Sequence, residues 1–135
     1  MKIFVDTGAF IALADSDDDN HLKAKAFYEQ TKAKGARFVT TNFVICETMN
    51  YLRMKTSHAA AVTFREGLRK SGLFDIADIT QRLDEEAFLI FKQYADKDFS
   101  FTDCTSFVAM QSLKIKKAFA FDRHFGQFEA IEKVP

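Results

Sequence analysis

Lys2-Ile3-Phe4-Val5-Asp6 opens the chain, and Lys117-Ala118-Phe119-Ala120-Phe121-Asp122 lies near its other end. Each is a short apolar run closed by a single aspartate. Runs of this length, apolar on both alternating faces, fit strands buried on both sides, as in a parallel sheet. Three more segments read the same way: Arg37–Thr40, Asp75–Ile79 and the more weakly patterned Ala130–Val134. Helical stretches lie between them. Leu83, Ala87, Ile90, Phe91 and Tyr94 recur at the spacing of one amphipathic face. Ser57 is placed to cap a helix that turns Ala60, Ala61, Phe64 and Leu68 inward. A third helix, from Asn42 to Arg53, carries the stripe Val44, Ile45, Met49 and Leu52. Strands alternating with helices imply an α/β domain with a mostly parallel sheet, one domain over residues 1–135.

That architecture gives meaning to four carboxylates. In open α/β sheets, ligands bind beyond the carboxyl ends of the strands, where strand order reverses. Asp6 and Asp122 each terminate a strand-like run and should project there. Asp103, in Phe101-Thr102-Asp103-Cys104, opens the helix leading into the strand of Asp122. Glu47, in Thr41-Asn42-Phe43-Val44-Ile45-Cys46-Glu47, falls on the flank of its helix stripe beside Phe43, Asn50 and Tyr51. Brought together, four acids raise one another's pKa and call for a cation. Each also has a purely local reading. Asp6 could cap the helix after it, Asp103 could complete a Ser100-x-x-Asp103 capping box, Asp122 could start an Asx-turn, and Glu47 could pair with Arg53 or Lys55. A single site explains all four at once.

The composition narrows the class. The chain is 47% hydrophobic with 16 Phe, enough for a real core, and buried Phe needs no hydrogen-bond partner. Nineteen basic residues balance 19 acidic ones, so phosphate affinity must come from a local patch or a bound metal. Lys114-Ile115-Lys116-Lys117 and Arg123-His124 are such basic stretches, close in sequence to Asp122, and Lys117, Arg123 and His124 are candidates for steering phosphate. His21, His58 and His124 lack the spacing of a zinc motif and read as surface residues. Cys46 and Cys104 lack CxxC spacing and read as two reduced, buried thiols. The acidic run from Asp15 to Asn20 has no EF-hand pattern and reads as a solvated loop whose end caps the next helix. No signal-peptide h-region opens the chain, and no apolar run has the length of a membrane span. The expectation is a soluble, cytoplasmic protein. No P-loop, GxGxxG or GxSxG motif is present.

Taken in order, Ile3-Phe4-Val5-Asp6-Thr7-Gly8-Ala9-Phe10, the helical Glu47 after Thr40-Thr41-Asn42, Phe101-Thr102-Asp103 and Ala120-Phe121-Asp122-Arg123-His124-Phe125 span the chain. This ordered set resembles the PIN-domain nucleases, particularly the small VapC-type toxin ribonucleases. The resemblance implies a three-layer sandwich: a five-stranded parallel sheet of order 3-2-1-4-5 with helices on both faces. It implies Mg²⁺- or Mn²⁺-dependent cleavage of RNA, with Asp6 and Asp103 binding metal directly and Glu47 and Asp122 completing the acidic site, through water. Thr102 and Thr7 would lend hydrogen-bonding support. A homodimer held by exposed Phe or Leu of the early helices, and an antitoxin occluding the pocket in a type II toxin–antitoxin pair, belong to the same implication.

Hard oxygen ligands suit Mg²⁺ and Mn²⁺. Such an ion neutralises phosphate oxygens and supplies an activated water. Two other classes compete. One is a catalytically silent PIN-like domain that binds RNA or protein, against which the complete set of four acids argues. The other is an aspartate-phosphorylating phosphatase or receiver domain. The phosphatase needs a second Asp two residues after the first, where this chain has Gly8, and the receiver needs a neighbouring acidic pair, whereas Asp6 stands alone.

Overall fold

The computed structural model describes residues 1–135. Its elements run β1 (Lys2–Val5), α1 (Thr7–Ala14), α2 (His21–Ala33), β2 (Arg37–Thr41), α3 (Asn42–Lys55) and α4 (His58–Ser71), then β3 (Phe74–Ala77), α5 (Gln81–Gln93), α6 (Phe101–Leu113), β4 (Lys117–Phe119), α7 (His124–Gln127) and β5 (Glu132–Val134). The five strands form one parallel sheet in the order β3-β2-β1-β4-β5. Strand β1 is central, pairing Ile3 with Phe38 on one side and Phe4 with Ala118 on the other. Consecutive residues Ile3, Phe4 and Val5 are all buried, so both sheet faces are covered by helices, as a parallel sheet requires.

Order reverses between β1 and β4, and that seam locates the site. The Asp6 amide donates to the Phe119 carbonyl at 3.0 Å, joining the two strand ends. The buried Thr40 hydroxyl donates to the Val5 carbonyl at 3.0 Å and ties β2 to the same edge. One residue on, Thr41 caps α3 by accepting from the Val44 amide at 3.1 Å.

Phenylalanines fasten the elements around the seam. Phe107 of α6 stacks on Phe128 at 4.3 Å and meets Phe125 of α7 at 5.2 Å, while Phe125 stacks on Phe4 of β1. Offset and edge-on aromatic pairs of this kind add about 0.5–1.5 kcal/mol each beyond burial. They fix α6 and α7 against β1.

Some expectations shift. Strand β3 starts at Phe74 and stops at Ala77, because Asn42 Oδ1 accepts from the Ile79 amide at 2.7 Å and draws the chain off the sheet. Strand β4 stops at Phe119, leaving Asp122 in the turn beyond it. Of the α5 face, Leu83 and Ala87 are buried, whereas Phe91 is exposed and meets Phe101 edge-on at 6.0 Å. The Asp15–Asn20 loop is built from two Asx-turns, Asp17 N to Asp15 Oδ1 and Asn20 N to Asp18 Oδ1. Asn20, at the N-cap of α2, makes no capping bond with its side chain.

Candidate active site

Asp6 follows β1 directly and stands at the N-cap of α1, but its side chain makes no capping bond. The residue is only 4% exposed. Burial pushes its carboxyl up to about 8; the Thr7 backbone opposes this, and the charges of Asp103, Glu47 and Asp122 reinforce it. At neutral pH and without a cation, Asp6 keeps its proton.

Asp103 is buried in the first turn of α6. It completes the capping box expected of it: its amide donates to Ser100 Oγ at 3.0 Å, and its Oδ2 accepts from the Ser100 amide at 3.1 Å. Capping and site membership therefore coexist in one residue. Burial raises its pKa; the Ser100 bond opposes the shift, the charge of Asp122 adds to it, and His124 opposes it.

Glu47 is half-buried on α3 and pairs with neither Arg53 nor Lys55. It accepts instead from the Thr7 hydroxyl at 2.6 Å, a bond that joins the starts of α1 and α3. Thr102 lines an open depression with Asn42, Phe43, Cys46, Glu47 and Asn50, but its hydroxyl bonds none of the four acids; its carbonyl accepts from Thr105.

Asp122 forms the expected Asx-turn, its Oδ1 accepting from the His124 amide at 2.9 Å. That turn swings the His124 ring inward. Nδ1 lies 3.0 Å from Asp103 Oδ2 and 3.1 Å from Asp122 Oδ1, with the imidazole only 15% exposed. His124 is therefore not the surface residue that its missing zinc spacing suggests, and it faces the acids rather than incoming phosphate. The signal lay in Asp122-x-His124, since an Asx-turn brings residue i+2 back over the aspartate.

Two further corrections concern placement. Lys117 opens β4 at the amino edge of the sheet, grouped with Met1, Lys2 and Lys114 around a different depression, so it does not flank the acids. Cys46 is exposed and only Cys104 is buried. The Cys104 thiol is pushed up to about 11 by burial and by Asp103, which keeps it protonated and unsuited to metal. Arg123 stands on the rim, 3.4 Å from the exposed Asp98.

One oxygen or nitrogen from each of Asp103, Asp122 and His124 lies within 4.8 Å of the others. With Asp6 and Glu47 alongside, the donors are hard carboxylate oxygens and one imidazole, in a pocket whose most buried acid is pushed up to about 8. That donor set fits a divalent cation.

A family model described as PIN domain matches residues 3–131. The Mycobacterium tuberculosis protein described as 23S rRNA-specific endonuclease VapC20 is 32% identical over 133 residues, 98% of each chain. A VapC ribonuclease of Archaeoglobus fulgidus is 30% identical over 127 residues, 93% of this chain and 80% of that one. The crystal structure of M. tuberculosis VapC20, described as a sarcin-ricin loop cleaving toxin, superposes with a TM-score of 0.85 over 93% of both chains. VapBC2 of Rickettsia felis bound to a promoter DNA fragment superposes at 0.72 over 99% of this chain and 98% of that one, and with 8% identity it shows the fold alone. Matched across nearly its whole length by the family and by these relatives, the chain belongs to the PIN-domain family, among its VapC-type members.

Proposed function

We propose that this chain is a divalent-metal-dependent endoribonuclease that hydrolyses RNA phosphodiester bonds as the toxin of a type II toxin–antitoxin pair. One observation carries the reading: Asp6, Glu47, Asp103 and Asp122 converge at the seam between β1 and β4, and Asp6 is pushed to about 8 there. Asp6 and Asp103 would hold Mg²⁺ or Mn²⁺ directly, with Glu47 and Asp122 acting through water. When bound, the ion would supply a positive charge for the phosphate oxygens and activate the attacking water.

The protein's own groups do the positioning. Thr7 turns Glu47 toward Asp6, the Ser100 cap fixes Asp103, and the turn at Asp122 fixes both that acid and His124. Arg123, exposed on the rim, is the residue available to meet an incoming phosphate. RNA is the substrate by analogy with the VapC relatives, and an unpaired loop presents an accessible backbone.

Partners complete the proposal. An antitoxin would quench the site by placing an arginine among the carboxylates. A homodimer would use the exposed apolar side chains Tyr51 and Met54 of α3 with Phe88, Leu89 and Phe91 of α5. Of α1 and α2, only Leu22 is an exposed large apolar residue. No helix is long and apolar enough to cross a membrane.

Cleavage of a mixed RNA pool that includes 23S rRNA, with Mg²⁺, Mn²⁺ or EDTA, tests the reading. Wild type should cut only with metal, and Asp6→Asn and Asp103→Asn should both be inactive. Cutting that survives EDTA or both substitutions would overturn it.

A further inference from the structure

Among the donors at the seam, His124 is the one nitrogen, and its geometry is specific. Nδ1 sits between Asp103 Oδ2 at 3.0 Å and Asp122 Oδ1 at 3.1 Å. Its backbone amide is committed to Asp122, and the Phe99 ring meets the imidazole edge-on at 5.7 Å and 81°. The ring is therefore held on two sides with one nitrogen aimed at the acids. Separations near 3 Å are what a hydrogen bond gives. They are also the edge between neighbouring ligands in an octahedral sphere, about 3.0 Å when metal–ligand bonds are near 2.1 Å.

We propose that His124 Nδ1 is itself a ligand of the divalent cation, alongside the directly held Asp103, and that this nitrogen shifts the site's preference from Mg²⁺ toward Mn²⁺. The proposal rests on the acidic cluster being a cation site at all.

The chemistry follows from the donor types. Mg²⁺ is a hard ion that favours carboxylate and water oxygens and holds its waters tightly. Imidazole nitrogen binds first-row ions better than it binds Mg²⁺, and Mn²⁺ is the first-row ion whose liking for carboxylate oxygen the surrounding acids also meet. A neutral imidazole carrying its proton on Nε2 presents a lone pair at Nδ1. Moving from hydrogen-bond donor to ligand then requires only the change of tautomer, with no change in the charge of the ring. A nitrogen ligand also adds a donor without adding a fifth negative charge to a cluster already crowded with carboxylates.

Pulsed EPR of Mn²⁺ bound to the full-length protein reads this directly, because a coordinated imidazole imprints ¹⁴N modulation on the Mn²⁺ signal. The wild type should show that modulation, and His124→Ala should lose it while still binding Mn²⁺ about tenfold more weakly. Less Mg²⁺ should displace Mn²⁺ from the variant than from the wild type. A double variant, His21→Gln with His58→Gln, leaves His124 as the only histidine and should keep the modulation. It carries the test even if His124→Ala fails to fold. Bound Mn²⁺ without nitrogen coupling, or coupling that survives His124→Ala, would overturn the ligand assignment and leave the cation site standing. No bound Mn²⁺ in the wild type would overturn both.

Discussion

The Thr7 hydroxyl donates to Glu47 Oε1 at 2.6 Å, across 40 residues of sequence. It is the only side-chain bond to Glu47, and it crosses from the start of α1 to α3. Thr7→Val keeps the shape of the buried residue and removes the donor, leaving Glu47 free to turn toward solvent. Cleavage should fall about 10- to 100-fold, the usual cost of losing a group that orients a metal-site acid, with Thr7→Ser close to wild type. Steady-state kinetics beside thermal melts check it; equal activity in Thr7→Val would remove Thr7 from the site.

Asp6 predicts an unusual pH dependence of stability. Its folded pKa of about 8 lies above the ordinary 3.8. Its favourable contribution is complete below that ordinary value, where both states are protonated. As pH rises, the unfolded chain gives up the proton while the folded chain retains it. Metal-free protein should therefore lose up to about 1.4 kcal/mol per pH unit from this group between pH ~4 and ~8, and no more above that. Asp6→Asn removes the slope. In EDTA it should melt above wild type at neutral pH and alongside it near pH 4, as denaturant titrations at several pH values will show.

The double use of Asp103 separates stability from chemistry. Ser100→Ala removes one half of the capping box and should cost about 1 kcal/mol. The Ser100 backbone amide still donates to Asp103 Oδ2 in the variant, so the carboxylate stays in place and cleavage should remain near wild type wherever the protein is folded. Chemical denaturation gives the first quantity, and single-turnover cleavage below the transition gives the second.

The two basic stretches should behave differently. Arg123→Ala removes the exposed cation on the rim and should raise KM for RNA several-fold, more at low salt than at high. Lys117→Ala, at the far edge of the sheet, should leave kcat and KM unchanged for a short oligonucleotide. Parallel kinetics at two salt concentrations distinguish them.

What could be read from the residues depended on whether the signal was local. The aspartates that follow β1 and β4 are legible because a buried parallel strand is apolar on both faces and the first charged residue after it lies at the sheet edge. The Ser100–Asp103 box was legible because capping is a contact three residues long. The inward turn of His124 was not read, although Asp122-x-His124 encodes it, because a histidine without metal spacing looks like surface. Lys117 was misplaced because nearness in sequence to Asp122 hides the strand between them, which carries the two residues to opposite edges. Glu47 could be put on a helix flank by periodicity, but its partner Thr7 comes from another element. Only the folded chain brings that bond together.

A divalent cation bound at the β1–β4 seam should displace the Asp6 proton, and proton release on metal binding reads this out. Calorimetric titration of Mn²⁺ into the metal-free protein at pH 7, in two buffers of different ionisation enthalpy, counts the protons. With Asp6 protonated until the ion arrives, about one proton should leave per ion bound in wild type and none in Asp6→Asn, which should bind far more weakly. Binding without proton release, or full affinity in Asp6→Asn, would show that the ion does not occupy the acidic seam.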